Sequence, residues 1–342
     1  MQEYYACSLK SEESGDRKGS LNTLQNVNTM KYKHIFGPVP SRRLGLSLGV
    51  DLVYHKVCSL DCIYCECGKT TDLRVEQKEF AGFEEVEKEL DHYFANGEDP
   101  DYITFSGSGE PTLNMAIGRV IAYIKERRPN VKVAVLTNST LLGSEDIQQG
   151  LARADLVMPS LDAVFQKTFL QINRPCKGLF IDEIVDGLKA FARRFTGEIW
   201  LEVFILPGVN DSVEELVALK DVIHDIRPAR VQLNTLDRPG ALESLTPASM
   251  EELERVAKIL EYECVEVIAT VKSLQKGNRK SIEEMEPVVV ETIHRRPCTV
   301  EDLAQALNLD EAELAILLKK LVIDEKIEAK LQKRGLFYQT RK

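Results

Sequence analysis

An α/β fold built on a parallel sheet is what this sequence predicts, and two observations predict it. Apolar, β-branched runs alternate with amphipathic helical stretches, and the alternation repeats about six times in series. The runs that read as strands are residues 46–53, 101–106, 131–137, 156–161, 198–206 and 230–236. Helical stretches fall at 83–95, 115–128, 144–153, 180–195, 213–225 and 248–261, followed by a last apolar run at 264–270. Strands joined through helices run parallel, so the sheet is either open and doubly wound or curled like a barrel. Periodicity does not separate the two.

The flanks differ from this repeat. Residues 1–30 are polar and lack apolar periodicity, which predicts a disordered leader before a core of residues 31–271. A mixed-charge linker over 272–284 leads to a small unit of residues 285–342. There a helix from Pro287 to Arg295, a short helix capped by Thr299, a turn at Asn308, a helix from Asp310 to Ile323 and a bend at Gly335 follow the order of a winged helix-turn-helix. The third helix opens with Asp310, Glu311 and Glu313, which repel phosphate and argue against DNA. Lys319, Lys320, Lys326 and Lys330 come later and leave an RNA or peptide substrate open.

Composition narrows the class. With 342 residues, 44% hydrophobic and 29% charged, the chain is long enough for a sizeable core. No apolar run approaches the ~18 residues of a membrane span, and the N-terminus lacks the pattern of a signal peptide. The sequence therefore reads as cytoplasmic, with no membrane partner. A net charge of −10 argues against a global nucleic-acid binder.

Four of the eight cysteines fall within ten residues, Cys58-Ser-Leu-Asp-Cys62-Ile-Tyr-Cys65-Glu-Cys67. Such crowding fits a metal site in a reducing compartment better than a disulfide framework. Three thiolates spaced C-x3-C-x2-C can hold three irons of a [4Fe–4S] cluster and leave the fourth iron open. Zinc would call for a second ligand pair, and none follows.

With an aromatic before the third cysteine, this spacing resembles the signature of the radical S-adenosylmethionine (SAM) superfamily. The resemblance implies a partial (βα)6 barrel and a cluster on Cys58, Cys62 and Cys65 whose open iron chelates SAM. It further implies reductive cleavage of SAM to methionine and a 5′-deoxyadenosyl radical, with a reductant such as flavodoxin or ferredoxin. Tyr64 would line the adenine side. Phe105-Ser-Gly-Ser-Gly-Glu-Pro follows a strand and is similar to the family's Gly-Gly-Glu motif, so Gly107, Gly109 and Glu110 would hold the amino group of SAM. Asn138 and Ser160, after the next two strands, would meet its carboxylate and ribose, and Asn210 its adenine. Helix caps are the competing role for Asn138 and Ser160.

The stretch Phe36 to Asp51, with Arg42 and Arg43, together with the cysteine loop resembles Fe–S oxidoreductases related to the tRNA wyosine synthases. That implies either an anionic substrate for the two arginines or a structural ion pair. Wyosine synthases carry a further cysteine set upstream, whereas here only Cys7 precedes the motif. The leading reading is a radical SAM enzyme acting on an unidentified substrate; a tRNA- or other macromolecule-modifying enzyme and an Fe–S redox-sensing regulator are its competitors. Cys67 and Cys176 are thiols without an assigned role, Asp162 is a proton acceptor or a capping carboxylate, and Cys264 and Cys298 read as structural. We expect Cys58→Ala, Cys62→Ala or Cys65→Ala to abolish the brown chromophore of anaerobically reconstituted protein, and Cys67→Ala to keep most of it. Loss of iron in Cys67→Ala would break this ligand assignment.

Overall fold

The computed structural model describes residues 32–268 and 282–341, apart from 42, 239, 243, 296, 308, 333 and 334. The expected leader, and most of the expected linker, lie outside the described residues. Eight strands form one sheet: β1 Ile35–Ser41, β2 Gly45–Val50, β3 Tyr102–Phe105, β4 Lys132–Thr137, β5 Leu156–Pro159, β6 Glu198–Phe204, β7 Arg230–Asn234 and β8 Val265–Val267. They hydrogen-bond in chain order. β1 pairs antiparallel with β2, and every later neighbour is parallel. A doubly wound sheet reverses its strand order at a switch point. This one never does, so its winding is that of a barrel, left open between β1 and β8.

Helices return the chain between parallel strands: α1 Phe83–Asn96, α2 Ile117–Arg127, α3 Glu145–Leu151, α4 Gln166–Ile172, α5 Ile181–Arg194, α6 Val213–Ile226 and α7 Met250–Leu260. α5 shows why they form. Ile181, Ile184, Val185, Leu188 and Phe191 make one buried face, Asp182 and Glu183 sit in the first turn, and Arg193 and Arg194 in the last, as the helix dipole favours. α7 starts on a reciprocal Ser249–Glu252 capping box. Strand alternation sorts the core. Val133, Val135, Val157, Leu201 and Val231 join the main apolar cluster with the helices, while Ala134, Leu156, Met158 and Trp200 form a second cluster with Leu44.

Three elements depart from expectation. β1 lies outside the runs that read as strands; Pro38 and Pro40 lack amide donors, which an edge strand tolerates. α4, seven residues between β5 and α5, is not among the stretches that read as helical. α8, Ile282–Arg295, begins inside the expected linker. It is followed by α9 Val300–Leu307, α10 Glu311–Ile323 and the antiparallel hairpin β9 Glu328–Gln332 and β10 Gly335–Gln339. Val289, Ile293, Leu303, Leu314, Leu318 and Ile327 give these elements an apolar cluster of their own. Among the described residues no helix is long and apolar enough to cross a membrane.

Arg43 takes the structural role open to it. Its guanidinium bonds Glu202 of β6, and Gln232 of β7 at 3.1 Å, tying the β1–β2 turn to the far side of the sheet. Arg42 lies outside the described residues.

α2 and α3 touch through glycine. A Cβ on Gly118 would lie 2.7 Å from the Gly150 Cα, whereas one on Gly150 would lie 3.5 Å from the Gly118 Cα. Gly118→Ala should therefore lower stability in urea unfolding by about 1–3 kcal/mol, through overpacking. Gly150→Ala should be neutral or stabilising.

Candidate active site

The cysteine loop leaves β2 at the C-terminal edge of the parallel sheet and is held from outside itself. Asp61 N donates to Asn173 O at 2.9 Å, Ile63 N to Ile172 O at 2.9 Å, and Cys176 N to Ser59 O at 2.8 Å, so the chain after α4 runs alongside it. Leu242 N, beyond β7, reaches Ile63 O at 3.0 Å, and Glu110 N, beyond β3, reaches Val57 O at 3.0 Å. Gly109 permits this last approach: a Cβ there would lie 1.9 Å from Val57 O. Gly107, at φ +155°, leaves room for Asp51, whose carboxylate accepts from Ser108 N and Oγ at 3.0 Å each.

Each of the three predicted ligand thiols faces a side-chain nitrogen donor. Asn138 Nδ2 lies 3.4 Å from Cys58 Sγ, Asn173 Nδ2 3.3 Å from Cys62 Sγ, and Lys56 Nζ 2.7 Å from Cys65 Sγ. Burial, reinforced by nearby Glu110, pushes the Cys58 thiol up to about 12. Burial also raises Cys62 well above the usual thiol range. Cys65 goes the other way, to about 6, through a hydrogen bond with Cys67 and the Lys56 ammonium, against the effect of burial. Burial would lower Lys56, but Cys65 outweighs it and holds the ammonium above its ordinary pKa. Cys67 Sγ reaches Gly107 O at 3.7 Å.

Among the described residues no three His, Cys, Asp or Glu side chains converge as ligands of one ion would. A cubane gives each thiolate its own iron, so convergence on a point is not required of it. Soft sulfur donors with N–H groups directed at them suit an iron–sulfur cluster, whose negative charge such donors stabilise.

The remaining predicted residues surround this loop. Glu110 is buried and accepts from Thr112 N at 3.1 Å, Thr112 Oγ1 at 2.6 Å, Thr137 Oγ1 at 2.7 Å and Asn138 N at 2.7 Å. Burial raises its pKa against those bonds. Three of these bonds fall on Oε1 and one on Oε2, and the last fixes the backbone at Asn138. Ser160 is half-buried, with its N–H on Thr137 O and its carbonyl accepting from Ser139 Oγ. Asn210 is buried: Nδ2 donates to Asp162 O and Phe204 O at 2.8 and 2.7 Å, and Oδ1 accepts from Leu206 N. It shapes its loop from within.

Tyr64 lies flat on Phe204, with centroids 3.8 Å apart and planes 8° from parallel, and donates its hydroxyl to Asp162. Asp162 also accepts from Asn173 Nδ2 at 2.7 Å and Phe204 N at 2.9 Å. Lys56, Asn173 and Phe204 were missed by sequence reasoning. A lysine two residues before the first cysteine was the one available signal. Nothing local marks Asn173, a helix C-cap.

α8 and α9 also reach the loop. The buried Arg238 guanidinium lies 3.2 Å from Glu66, between Cys65 and Cys67, and 3.6 Å from Asp302 of α9. The His55 and His294 rings are 6.2 Å apart. Cys298 is buried with the C-terminal cluster, and Cys264 is exposed, not packed in a strand as expected.

Residues 52–219 match the profile of the radical SAM superfamily. The chain is 39% identical over 320 residues to a protein of Brachyspira hyodysenteriae named GTPase Obg, covering 93% of this chain and 47% of that one, about half its length. It is 32% identical over 314 residues to UPF0026 protein MJ1312 of Methanocaldococcus jannaschii, covering 89% of this chain and 94% of that protein. Streptococcus suis SuiB bound to S-adenosylmethionine is similar at a TM-score of 0.48 and 16% identity, over 64% of this chain and 50% of that one.

Burial raises Asp162 to about 6, against the hydrogen bonds of Tyr64 and Asn173. The folded apoprotein thus binds this proton more tightly than the unfolded chain. The resulting stabilisation is complete below about pH 4 and lost as pH rises through about 6. Relative to Asp162→Asn, wild-type apoprotein should lose up to about 3 kcal/mol of unfolding free energy between pH 4 and 7. A parallel pH dependence of the two proteins in urea would contradict this.

Proposed function

Since this chain belongs to the radical SAM superfamily and, by identity along nearly all of both chains with the Methanocaldococcus protein, to the UPF0026 family, we propose that it holds a [4Fe–4S] cluster on Cys58, Cys62 and Cys65, binds SAM at the fourth iron, and abstracts hydrogen from a substrate. The observation that carries this is the set of three thiols on one loop, each with its own nitrogen donor, beside Gly107–Glu110 at the C-terminal edge of the sheet. When bound, the cluster and SAM supply one-electron reductive cleavage that generates the radical.

The chain's own residues position and shield. Gly109 lets the Ser106–Glu110 loop lie against the cysteine loop, where its backbone would hold the amino group of SAM. Glu110 and Thr137 orient Asn138 toward Cys58, and Asn138 would meet the carboxylate. Ser160 would meet the ribose. Tyr64, stacked on Phe204, and the loop fixed by Asn210 would meet the adenine. The partial (βα)6 barrel, open between β1 and β8, curls around these groups, with flavodoxin or ferredoxin as the electron donor.

A macromolecular substrate, RNA or peptide, gripped by a winged-helix-like C-terminal unit is the second reading, in keeping with the likeness to wyosine synthase relatives. It is favoured by the reach of α8 and α9 to the cysteine loop through Arg238 and His294. The ion pairs of Lys320 and Lys326 with Glu286, and of Arg341 with Glu325, reduce the positive charge available for phosphate and weigh against nucleic acid. A redox-sensing regulator would have no need of the polar groups gathered at four successive strand ends.

Anaerobic reconstitution with about four irons per chain, followed by dithionite and SAM, should release 5′-deoxyadenosine. Cys62→Ala should release none. A fully loaded cluster that neither binds nor cleaves SAM would overturn the proposal.

A further inference from the structure

Lys56 is a cation in a place that ordinarily excludes one. The residue is 3% exposed, and its ammonium donates to Cys65 Sγ at 2.7 Å and to Gly68 O at 2.8 Å. Among the described residues no carboxylate forms an ion pair with it. A buried ammonium is strongly unfavourable without a negative partner, and a single carbonyl is a weak one. The remaining negative charge within reach is that of the thiolates. The other two ligand sulfurs have neutral donors, the amides of Asn138 and Asn173, so the three positions are not equivalent. Both amides are oriented by further bonds, Asn138 through Ser59 and Thr140, Asn173 through Asp162. Of the three ligand sulfurs, the ammonium makes its hydrogen bond to that of Cys65.

Resting on the reading that Cys58, Cys62 and Cys65 carry a [4Fe–4S] cluster, we propose that Lys56 is a positioning residue that makes the cluster easier to reduce, by fixing a positive charge against its Cys65 corner. Reduction transfers one electron from a one-electron donor to the cluster, breaks no bond and moves no proton, so negative charge on the cluster and its thiolates increases. A cation held at contact distance in a low-dielectric setting stabilises the reduced state more than the oxidised one. An ammonium does so more strongly than an amide, because its bond to sulfur is charge-assisted. The Gly68 carbonyl adds direction: it anchors Nζ at the exit of the cysteine loop, so the charge stays at Cys65 when the loop is filled.

The test is a dye-mediated dithionite titration of reconstituted wild type, Lys56→Gln and Lys56→Arg, followed by the electron paramagnetic resonance signal of the reduced cluster. At the potential where wild type is half reduced, the ratio of reduced to oxidised cluster should fall at least about tenfold in Lys56→Gln and stay within about threefold in Lys56→Arg. A ratio unchanged in Lys56→Gln, or lowered equally in both variants, overturns the proposal. If Lys56→Gln takes up no iron, Lys56→Arg decides: full loading near the wild-type potential supports a requirement for charge, and failure to load shows that shape alone is at stake and overturns it. Wild type that takes up no iron would remove the cluster reading itself, a separate result.

Discussion

The backbone of the cysteine loop has to be satisfied from elsewhere, and much of the site follows from that constraint. Its own turns supply Cys65 N to Cys62 O and Gly68 N to Cys65 O. Buried peptide groups without partners are costly, so a loop that presents several thiols can persist only where neighbouring segments complete its hydrogen bonds. The Pro175 stretch after α4, the Glu110 loop after β3 and the Leu242 stretch after β7 all do so. A sheet wound in one direction brings these strand ends together on one rim, which is how the fold makes the loop.

Polar groups below the loop extend the same logic inward. Glu110 collects donors from its own turn and from the C-terminal end of β4, and Asp162 collects them from Tyr64, Asn173 and Phe204. Asn173 contacts both Asp162 and Cys62, so one side chain links a buried carboxylate to a ligand thiol. Networks of this kind fix orientation, because moving one member leaves another buried and unpaired. The site is thereby preorganised in the protein itself. The stacked Tyr64–Phe204 pair provides the apolar surface beside it.

The C-terminal elements share in this arrangement. Arg238 stands between Glu66 of the cysteine loop and Asp302 of α9, and its side chain is 6% exposed. A guanidinium in such a place binds two segments together only while both acids are present. The position of α9 and that of the loop are therefore coupled through one residue. The charge pattern of this region is mixed, in line with the acidic opening of α10 at Asp310.

The cysteine spacing, the paired glycines at 107 and 109, the helical faces and the succession of βα units were legible in the sequence because each depends on neighbours a few residues apart. Cysteine spacing, helix periodicity and strand alternation are local geometry, whereas the expectation that Glu110 and Asn138 belong beside the thiols came from the resemblance to the radical SAM superfamily. The choice between a reversing and a single winding direction was not local, and the strand order decided it. Arg43 was chemically ambiguous until Glu202 and Gln232, on strands far along the chain, were found beside it. The same holds for the nitrogen that meets each sulfur: Lys56 finds Cys65 across a turn, and Asn173 finds Cys62 from the end of a helix. Residue type and spacing determine which groups are able to act. Which of them meet is decided by sheet register and loop packing, through contacts distant in sequence.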